Sequence, residues 1–214
     1  MLLLIVLFVC GAVVMSVEIL ATRVFASSFG STLHVWGALI GTFIGALSLG
    51  YYVGGLLADR WPTRKGLGVI ILAAGALILG MEYPARSIND YIWAMDIGGE
   101  GFPWMGPLVA TAVLYGLPVA LLGIVSPYCV RLATTDLRGL GRRVGSFYAV
   151  SSLGSIFGTF LTAFYLVGEF RVSLTIRTEG VVLMFLSVPL FVVGFFFERR
   201  RPDAESGNGG DRGE

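Results

Sequence analysis

The stretch that decides the fold is residues 1–22, MLLLIVLFVCGAVVMSVEILAT, in which Glu18 is the only charged residue. About 20 apolar residues in a helix cross a bilayer core of about 30 Å, and this stretch has that length and character. Five runs without any charge follow it, at residues 24–58, 66–81, 101–130, 144–168 and 180–197. Each run suits one crossing, so we predict an all-α integral membrane protein with six transmembrane helices.

The bounds of these helices follow from the charges and turn residues that flank each run. The predicted helices cover about 2–24, 34–57, 66–84, 106–131, 143–167 and 178–197. The run 24–58 receives one helix, because residues 26–32, ASSFGST, are mostly small and polar and favour a turn. Together the helices form one transmembrane domain over residues 1–198. The segment 199–214, rich in glycine and charge, is predicted to be a disordered cytoplasmic tail.

The composition agrees with insertion into a lipid bilayer and excludes other classes of protein. The chain is 56% hydrophobic and 14% charged, against roughly 45–50% and about 25% in average soluble proteins. The two cysteines both lie in apolar runs, which excludes a secreted disulfide scaffold. The net charge of +1 argues against a nucleic-acid partner. A cleaved signal peptide is disfavoured, since no basic residue precedes the first apolar stretch.

The basic residues predict the orientation. Most of the 15 lysines and arginines fall in the connections 59–65 and 131–143 and in the C-terminal tail. Because basic residues accumulate on the cytoplasmic side, we predict a cell-membrane protein with both termini in the cytoplasm. The loop 82–105, on the external side, is acidic. In it, residues 87–90 (SIND) resemble a capping box that begins a short interfacial helix.

Small residues at helical spacing predict close helix packing, which in lipid replaces the hydrophobic drive between helices. They form two stripes, at Gly37, Gly41, Gly45, Gly50 and Gly54 in helix two and at Ser151, Gly154, Gly158 and Thr162 in helix five. We expect contacts within the molecule there, with a dimerisation seam as the alternative. In helix four, Pro118 and Pro127 each remove one ladder hydrogen bond and predict kinks.

Two short segments suggest an internal repeat. Residues 41–44, GTFI, in helix two are similar to residues 158–161, GTFL, in helix five. A three-plus-three repeat would put these helices in equivalent positions, an arrangement found in many transporters.

The connection between helices two and three reads GGLLADRWPTRK over residues 54–65. It resembles the conserved loop of the major facilitator superfamily, in which a glycine is followed by Asp-Arg and then a basic pair. The matching residues are Gly55, Asp59, Arg60, Arg64 and Lys65. We expect Asp59 to pair with a basic group of this loop or of the 131–143 connection and so to latch the cytoplasmic face. A basic loop that only sets topology is the alternative.

A wider resemblance covers nearly the whole membrane region. Its blocks are VEILATR (17–23), FGST (29–32), VWG (35–37), LGYYVGG (49–55), SPY and VRL (126–132), GSFYAVSSLGS (145–155) and GT (158–159). Together they resemble the membrane domain of the membrane-bound spermidine synthase-like proteins, which are described as fused facilitator/spermidine synthases. The resemblance implies a half-facilitator-like bundle and an association with polyamines.

The resemblance does not extend to catalysis. In that family a soluble aminopropyltransferase domain normally follows, and no strand–glycine loop–helix unit occurs in this sequence. We therefore expect no enzyme activity and no cofactor. No metal site is expected either, because His34 is the only histidine and the external acidic residues are scattered.

Glu18 is the ionisable residue that lies well inside a predicted helix. A carboxylate in hydrocarbon costs about 2.5–3.5 kcal/mol by insertion scales, so it requires a partner or a function. Arg23, Arg171 and Arg177 are the candidate partners. Glu18 either joins a network that fixes helix packing or binds a cationic substrate or a proton.

Two functions follow from these features. The first is a small transporter or binding module for polyamines or related organic cations, acting as a homodimer or with a partner in the lipid bilayer. The alternative is a non-catalytic membrane scaffold that anchors a separately encoded spermidine synthase-like partner at its cytoplasmic loops.

Overall fold

The computed structural model describes residues 1–97, 99–134 and 139–198, and the regular structure in these ranges is entirely helical. Six of the helices are long and apolar enough to cross a bilayer. They are α1 Leu2–Phe29, α2 Leu33–Arg60, α3 Arg64–Ala94, α4 Met105–Ala133, α5 Leu140–Glu169 and α6 Val172–Glu198. The prediction of an all-α chain with six helices long and apolar enough to cross a membrane is confirmed. The tail predicted over 199–214 lies outside the described residues.

The helices are longer than predicted where they meet the connections. α1 continues to Phe29, so the turn predicted over 26–32 is confined to residues 30–32. The helix tolerates the small polar residues because their hydroxyls bond to its own carbonyl oxygens, as Ser27 does to Val24 at 2.8 Å. Gly30 ends α1 with φ of 75°, and the Thr32 side chain caps α2.

The short helix predicted within the loop 82–105 is instead the end of α3, which runs without a break to Ala94. Residues 87–90 therefore lie within a helix and do not begin one. This segment stays helical because its apolar face packs on the bundle, where Asn89 and Ile92 are buried. Its polar face is held by Ser28 of α1, which donates to Asp90 at 2.9 Å.

α6 also differs from the prediction, because it begins at Val172 and not near residue 178. The sequence placed Arg177 and Glu179 at the outer end of this helix, whereas both lie more than one turn inside it. The 170–171 connection between α5 and α6 is correspondingly short.

We name the two ends of the bundle by the predicted orientation. The outer end carries the connections 30–32 and 170–171 and residues 95–97 and 99–104, and the inner end carries the connection 61–63 and the end of α4.

The six helices form three close pairs, α1 with α5, α2 with α4 and α3 with α6. α1 and α5 run parallel, since Phe8 lies against Gly154 and Ala12 against Gly158. Each glycine meets the partner's backbone directly, so the axes approach closely, as small residues permit.

Glycines also close the other two pairs. In the parallel pair α2 and α4, a Cβ on Gly54 would lie 2.7 Å from the Ile124 Cα, and Gly50 lies against Gly123. In the antiparallel pair α3 and α6, Gly75 and Gly180 each lie against the other's carbonyl oxygen. Each pair is thus joined at glycines on at least one of its helices.

The stripe predicted in helix two divides into two faces. Gly50 and Gly54 are buried, whereas Gly37, Gly41 and Gly45 are exposed with open space beside each. Five residues turn a helix by about 500°, so Gly45 and Gly50 point about 140° apart. The prediction that the outer three glycines pack within the molecule is wrong, because α2 buries its opposite face, which carries Leu39 and Phe43.

The two prolines of α4 have different effects. The turn before Pro118, Ala112–Gly116, is a π-helical turn, which accommodates the ring and the missing N–H donor by widening the helix. Pro127 lies inside regular α-helix, where its ring packs against Gly54. No break in the helix accompanies Pro127.

Candidate functional site

Glu179 of α6 is an intramembrane carboxyl group in the interior of the bundle. The residue is only 8% exposed and shares its face with the buried residues Thr175, Leu183 and Ser187, because residues four apart lie on one side of a helix. Arg177 points about 200° away and is exposed. The helix therefore buries one charged residue and exposes the other.

A chain of two hydroxyl groups reaches Glu179 from the neighbouring helices. Ser16 of α1 donates a hydrogen bond to Oε1 of Glu179, and its Oγ lies 2.5 Å from the Thr162 Oγ1 of α5. A hydroxyl has one proton to donate, so Ser16 must accept from Thr162. Hydrogen bonds therefore run from Thr162 to Ser16 and from Ser16 to Glu179, and they connect α5, α1 and α6 through buried polar atoms.

Two polar atoms at this point have no hydrogen-bond partner among the described residues. They are Oε2 of Glu179 and the hydroxyl of Tyr115, and both are buried. Tyr115 lies close enough to Glu179 to interact with it electrostatically, and its ring lies between Phe25 and Phe43, with centroids 6.1 and 5.8 Å away. Buried polar atoms are nearly always paired, so these two indicate a place for a further polar group.

Both π-helical turns in the described part of the chain contribute to this site. Tyr115 belongs to Ala112–Gly116 in α4, and Thr162 begins the turn Thr162–Leu166 in α5. Such turns are rare and occur frequently at functional sites. Both π-helical turns thus lie at the Glu179 site. This backbone feature is a separate observation from the unpaired polar atoms, and it indicates the same site.

A cavity of about 440 Å³ lies between α1, α3, α4 and α6 toward the outer end. Its lining residues are Arg23, Val24, Ser27, Met81, Tyr83, Ala85, Tyr115, Val172, Ser173 and Ile176. Ile176 is one turn from Glu179 on the same face of α6, and Tyr115 is shared with the site. The cavity, which we call the outer cavity, therefore leads from the exposed residues Arg23 and Tyr83 toward Glu179.

The structure does not assemble the network predicted around Glu18. Glu18 is half-buried and forms no hydrogen bond or ion pair with any residue that the structure describes. It lies two residues from Ser16, so it points about 200° away from the Glu179 site. Of its candidate partners, Arg23 lines the outer cavity and Arg171 precedes α6. The guanidinium of Arg177 lies 5.3 Å from the centroid of the Tyr83 ring.

The inner end carries an ion pair in the predicted latch loop. Arg131 Nε of α4 donates to Asp59 Oδ1 of α2 at 2.9 Å. The Tyr128 hydroxyl also donates to the Trp61 carbonyl oxygen, and it accepts from the Thr63 N–H at 3.4 Å. These contacts fix the 61–63 connection against α4.

The other residues of the latch loop do not join that ion pair. The guanidinium of Arg60 lies 5.5 Å from the ring centroid of Trp61, and the ammonium of Lys65 lies 5.7 Å from that of Phe195. Gly55 is half-buried with open space beside it, and Arg64 lies at the start of α3. Within the described ranges, no three His, Cys, Asp or Glu side chains are grouped to hold a metal ion.

No family model, curated protein or solved structure matches this chain. The geometry is therefore the evidence that marks the site.

Sequence reasoning missed Glu179, Ser16 and Tyr115 and treated Thr162 as a packing residue. Two signals were present. Arg177 and Glu179 are two apart and so fall on opposite faces of a helix. The small-residue stripe of α5, read at intervals of four from Gly154, ends at Thr162, which faces α1.

Proposed function

We propose that the chain is a small membrane transporter or binding module for polyamines or related organic amines, in which Glu179 binds the ammonium group of the substrate. The observation that carries the proposal is the buried carboxyl of Glu179, which has one oxygen bonded to Ser16 and the other without a partner in the described part of the chain. It lies one turn of α6 from Ile176, which lines a cavity large enough for a small organic molecule.

The chemistry of the site suits an ammonium ion. An ammonium group has three N–H donors and no acceptor. Glu179 Oε2 and the Tyr115 hydroxyl oxygen are two acceptors that no described residue pairs. The aromatic ring of Tyr115 adds attraction for a cation. A buried carboxylate is costly without a counter-charge, so a bound cation would offset part of that cost. The resemblance to the spermidine synthase-like proteins is a further reason to choose amines.

The proposal places this site in a half-facilitator-like bundle of three plus three helices. The pattern of helix pairs supports this repeat. It is unchanged when the first three helices are exchanged for the last three, so that α1 takes the place of α4, α2 that of α5 and α3 that of α6. The pair α1 with α5 then becomes α4 with α2, and the pair α3 with α6 is retained. Glycines of α2 and α5 make the close contacts in both exchanged pairs.

The orientation and location remain part of the same proposal. Both termini would lie in the cytoplasm of a cell in whose membrane the bundle resides, and the outer cavity would then open to the exterior. The chain would act as a homodimer or with a partner.

The test is thermal stabilisation of the purified protein by spermidine and by 1,6-diaminohexane. A ligand at 100 times its dissociation constant stabilises the folded state by about 2.7 kcal/mol. We expect stabilisation of the wild type and of Glu18→Gln, which is the matched control, and none of Glu179→Gln. Equal stabilisation of Glu179→Gln would refute the assignment.

Uptake by proteoliposomes then separates transport from binding alone. Uptake that is lost in Glu179→Gln and retained in Glu18→Gln supports a transporter. If no amine stabilises the protein and a stoichiometric soluble partner is recovered from native membranes, the scaffold replaces the proposed function.

A further inference from the structure

We infer that the ligand of the outer cavity is a zwitterion, whose ammonium group binds Glu179 and whose acidic group binds Arg23. The inference rests on the proposed function, because it takes from it the ammonium at Glu179. It adds the second charged group and so narrows the class of substrate.

The register of α1 places both contacts on one side of the cavity. Arg23 follows Ser16 by seven residues, which is about 20° short of two full turns and a rise of about 10 Å. Ser16 is the residue that bonds Glu179, and Arg23 lines the outer cavity. Ser16, which holds the Glu179 carboxyl, and Arg23 therefore lie on the same face of α1, Ser16 toward the middle of the helix and Arg23 nearer the outer end.

The charged residue that lines the outer cavity disfavours a second ammonium group. Among the described lining residues that residue is Arg23. A polyamine would bring a second positive charge toward Arg23, whereas a carboxylate or phosphate would accept hydrogen bonds from its guanidinium.

The spacing of the two contacts indicates the length of the ligand. The rise of about 10 Å between Ser16 and Arg23 favours several methylene groups between the ammonium and the acid. An ω-amino acid meets this requirement better than an α-amino acid, in which the two charges share one carbon.

Three probes with one six-carbon chain test the inference on the purified full-length protein. They are 6-aminohexanoate, 1,6-diaminohexane and hexanoate. We expect 6-aminohexanoate to bind the wild type at least tenfold more tightly than 1,6-diaminohexane, with hexanoate weaker still. Arg23→Gln should abolish the preference for 6-aminohexanoate, and Arg23→Lys should keep most of it. The control is Arg143→Gln, which alters an exposed arginine near the inner end and should leave the preference unchanged.

The outcomes separate the inference from the function on which it rests. Tighter binding of 1,6-diaminohexane, dependent on Glu179, would overturn the zwitterion and leave the amine-binding function standing. An unchanged preference in Arg23→Gln would also overturn it. If none of the probes binds, both the zwitterionic ligand and the amine-binding function are refuted.

A free amino acid and an aminophospholipid headgroup offer the same pair of charges. Nanodiscs of phosphatidylglycerol with and without phosphatidylethanolamine distinguish them. If the ligand is the headgroup, added phosphatidylethanolamine weakens the binding of 6-aminohexanoate to the wild type, and if the ligand is soluble, the affinity is the same in both. A Glu179- and Arg23-dependent effect in either lipid supports the zwitterion.

Discussion

Adding one methyl group at Gly158 should separate α1 from α5 and destabilise the fold. The Cβ of Gly158→Ala would lie 2.6 Å from the Ala12 Cα, with the Ala12 carbonyl oxygen also in the way. Carbon atoms in good contact are about 3.5–4.0 Å apart, so the helices must move apart by about 1 Å. Such overpacking typically costs about 1–3 kcal/mol.

The matched control is the same substitution at Gly41, which has open space beside it. Gly41→Ala meets no neighbour and replaces glycine by a residue with up to about 1 kcal/mol higher helix propensity. Because Gly158→Ala gains the same propensity, this gain cancels, and the two variants should differ by about 1–3 kcal/mol in the free energy of unfolding, with Gly158→Ala the less stable. Gly80→Ala, also in open space, provides a second control outside the stripe of helix two.

The assay is reversible unfolding of the purified protein in mixed micelles by increasing SDS, followed by circular dichroism and tryptophan fluorescence. Equal free energies of unfolding for Gly158→Ala and Gly41→Ala, or a lower value for Gly41→Ala, would contradict the close packing of α1 on α5.

Three further substitutions are checked by the same unfolding assay. Asn89→Leu should stabilise the protein by about 1 kcal/mol or more, because Asn89 is fully buried, neither amide atom is paired by a residue that the structure describes, and burying an unpaired amide is costly. A loss of stability would show that this amide has a partner. Tyr128→Phe should cost about 0.5–1.5 kcal/mol through the lost bond to the Trp61 carbonyl oxygen, and an unchanged stability would contradict that bond. Asp59→Asn should change the free energy of unfolding by less than about 1 kcal/mol, because solvent-exposed ion pairs contribute little to stability and the side chains of Arg131 and Asp59 are 48% and 73% exposed. A larger loss of stability would mean that this ion pair holds the fold together.

Charge-free runs were sufficient to predict six helices, because lipid imposes one strong requirement on each crossing. The ends of the helices were harder to predict, since outside the hydrocarbon core polar residues can continue a helix as readily as end it. Residues 82–94 illustrate this, because α3 continues through them with Asn89 and Ile92 turned toward the bundle.

The candidate site was harder to predict than the fold for a geometric reason. The apolar run in α6 begins only after Glu179, and a helix assigned from that run leaves the carboxyl at its edge. Whether Glu18 or Glu179 faces the interior depends on the rotation of each helix against its neighbours. That rotation is set by contacts such as Gly180 against Gly75, which pair residues far apart in sequence.

The central claim is that the carboxyl of Glu179 is the group that an amine ligand contacts. Infrared difference spectra of the protein with and without 6-aminohexanoate, or with 1,6-diaminohexane if that probe binds more tightly, report directly on carboxyl groups that ligand binding perturbs. We predict a carboxyl band that Glu179→Gln removes and Glu18→Gln retains. A band that disappears with Glu18→Gln and persists in Glu179→Gln would contradict the role of Glu179.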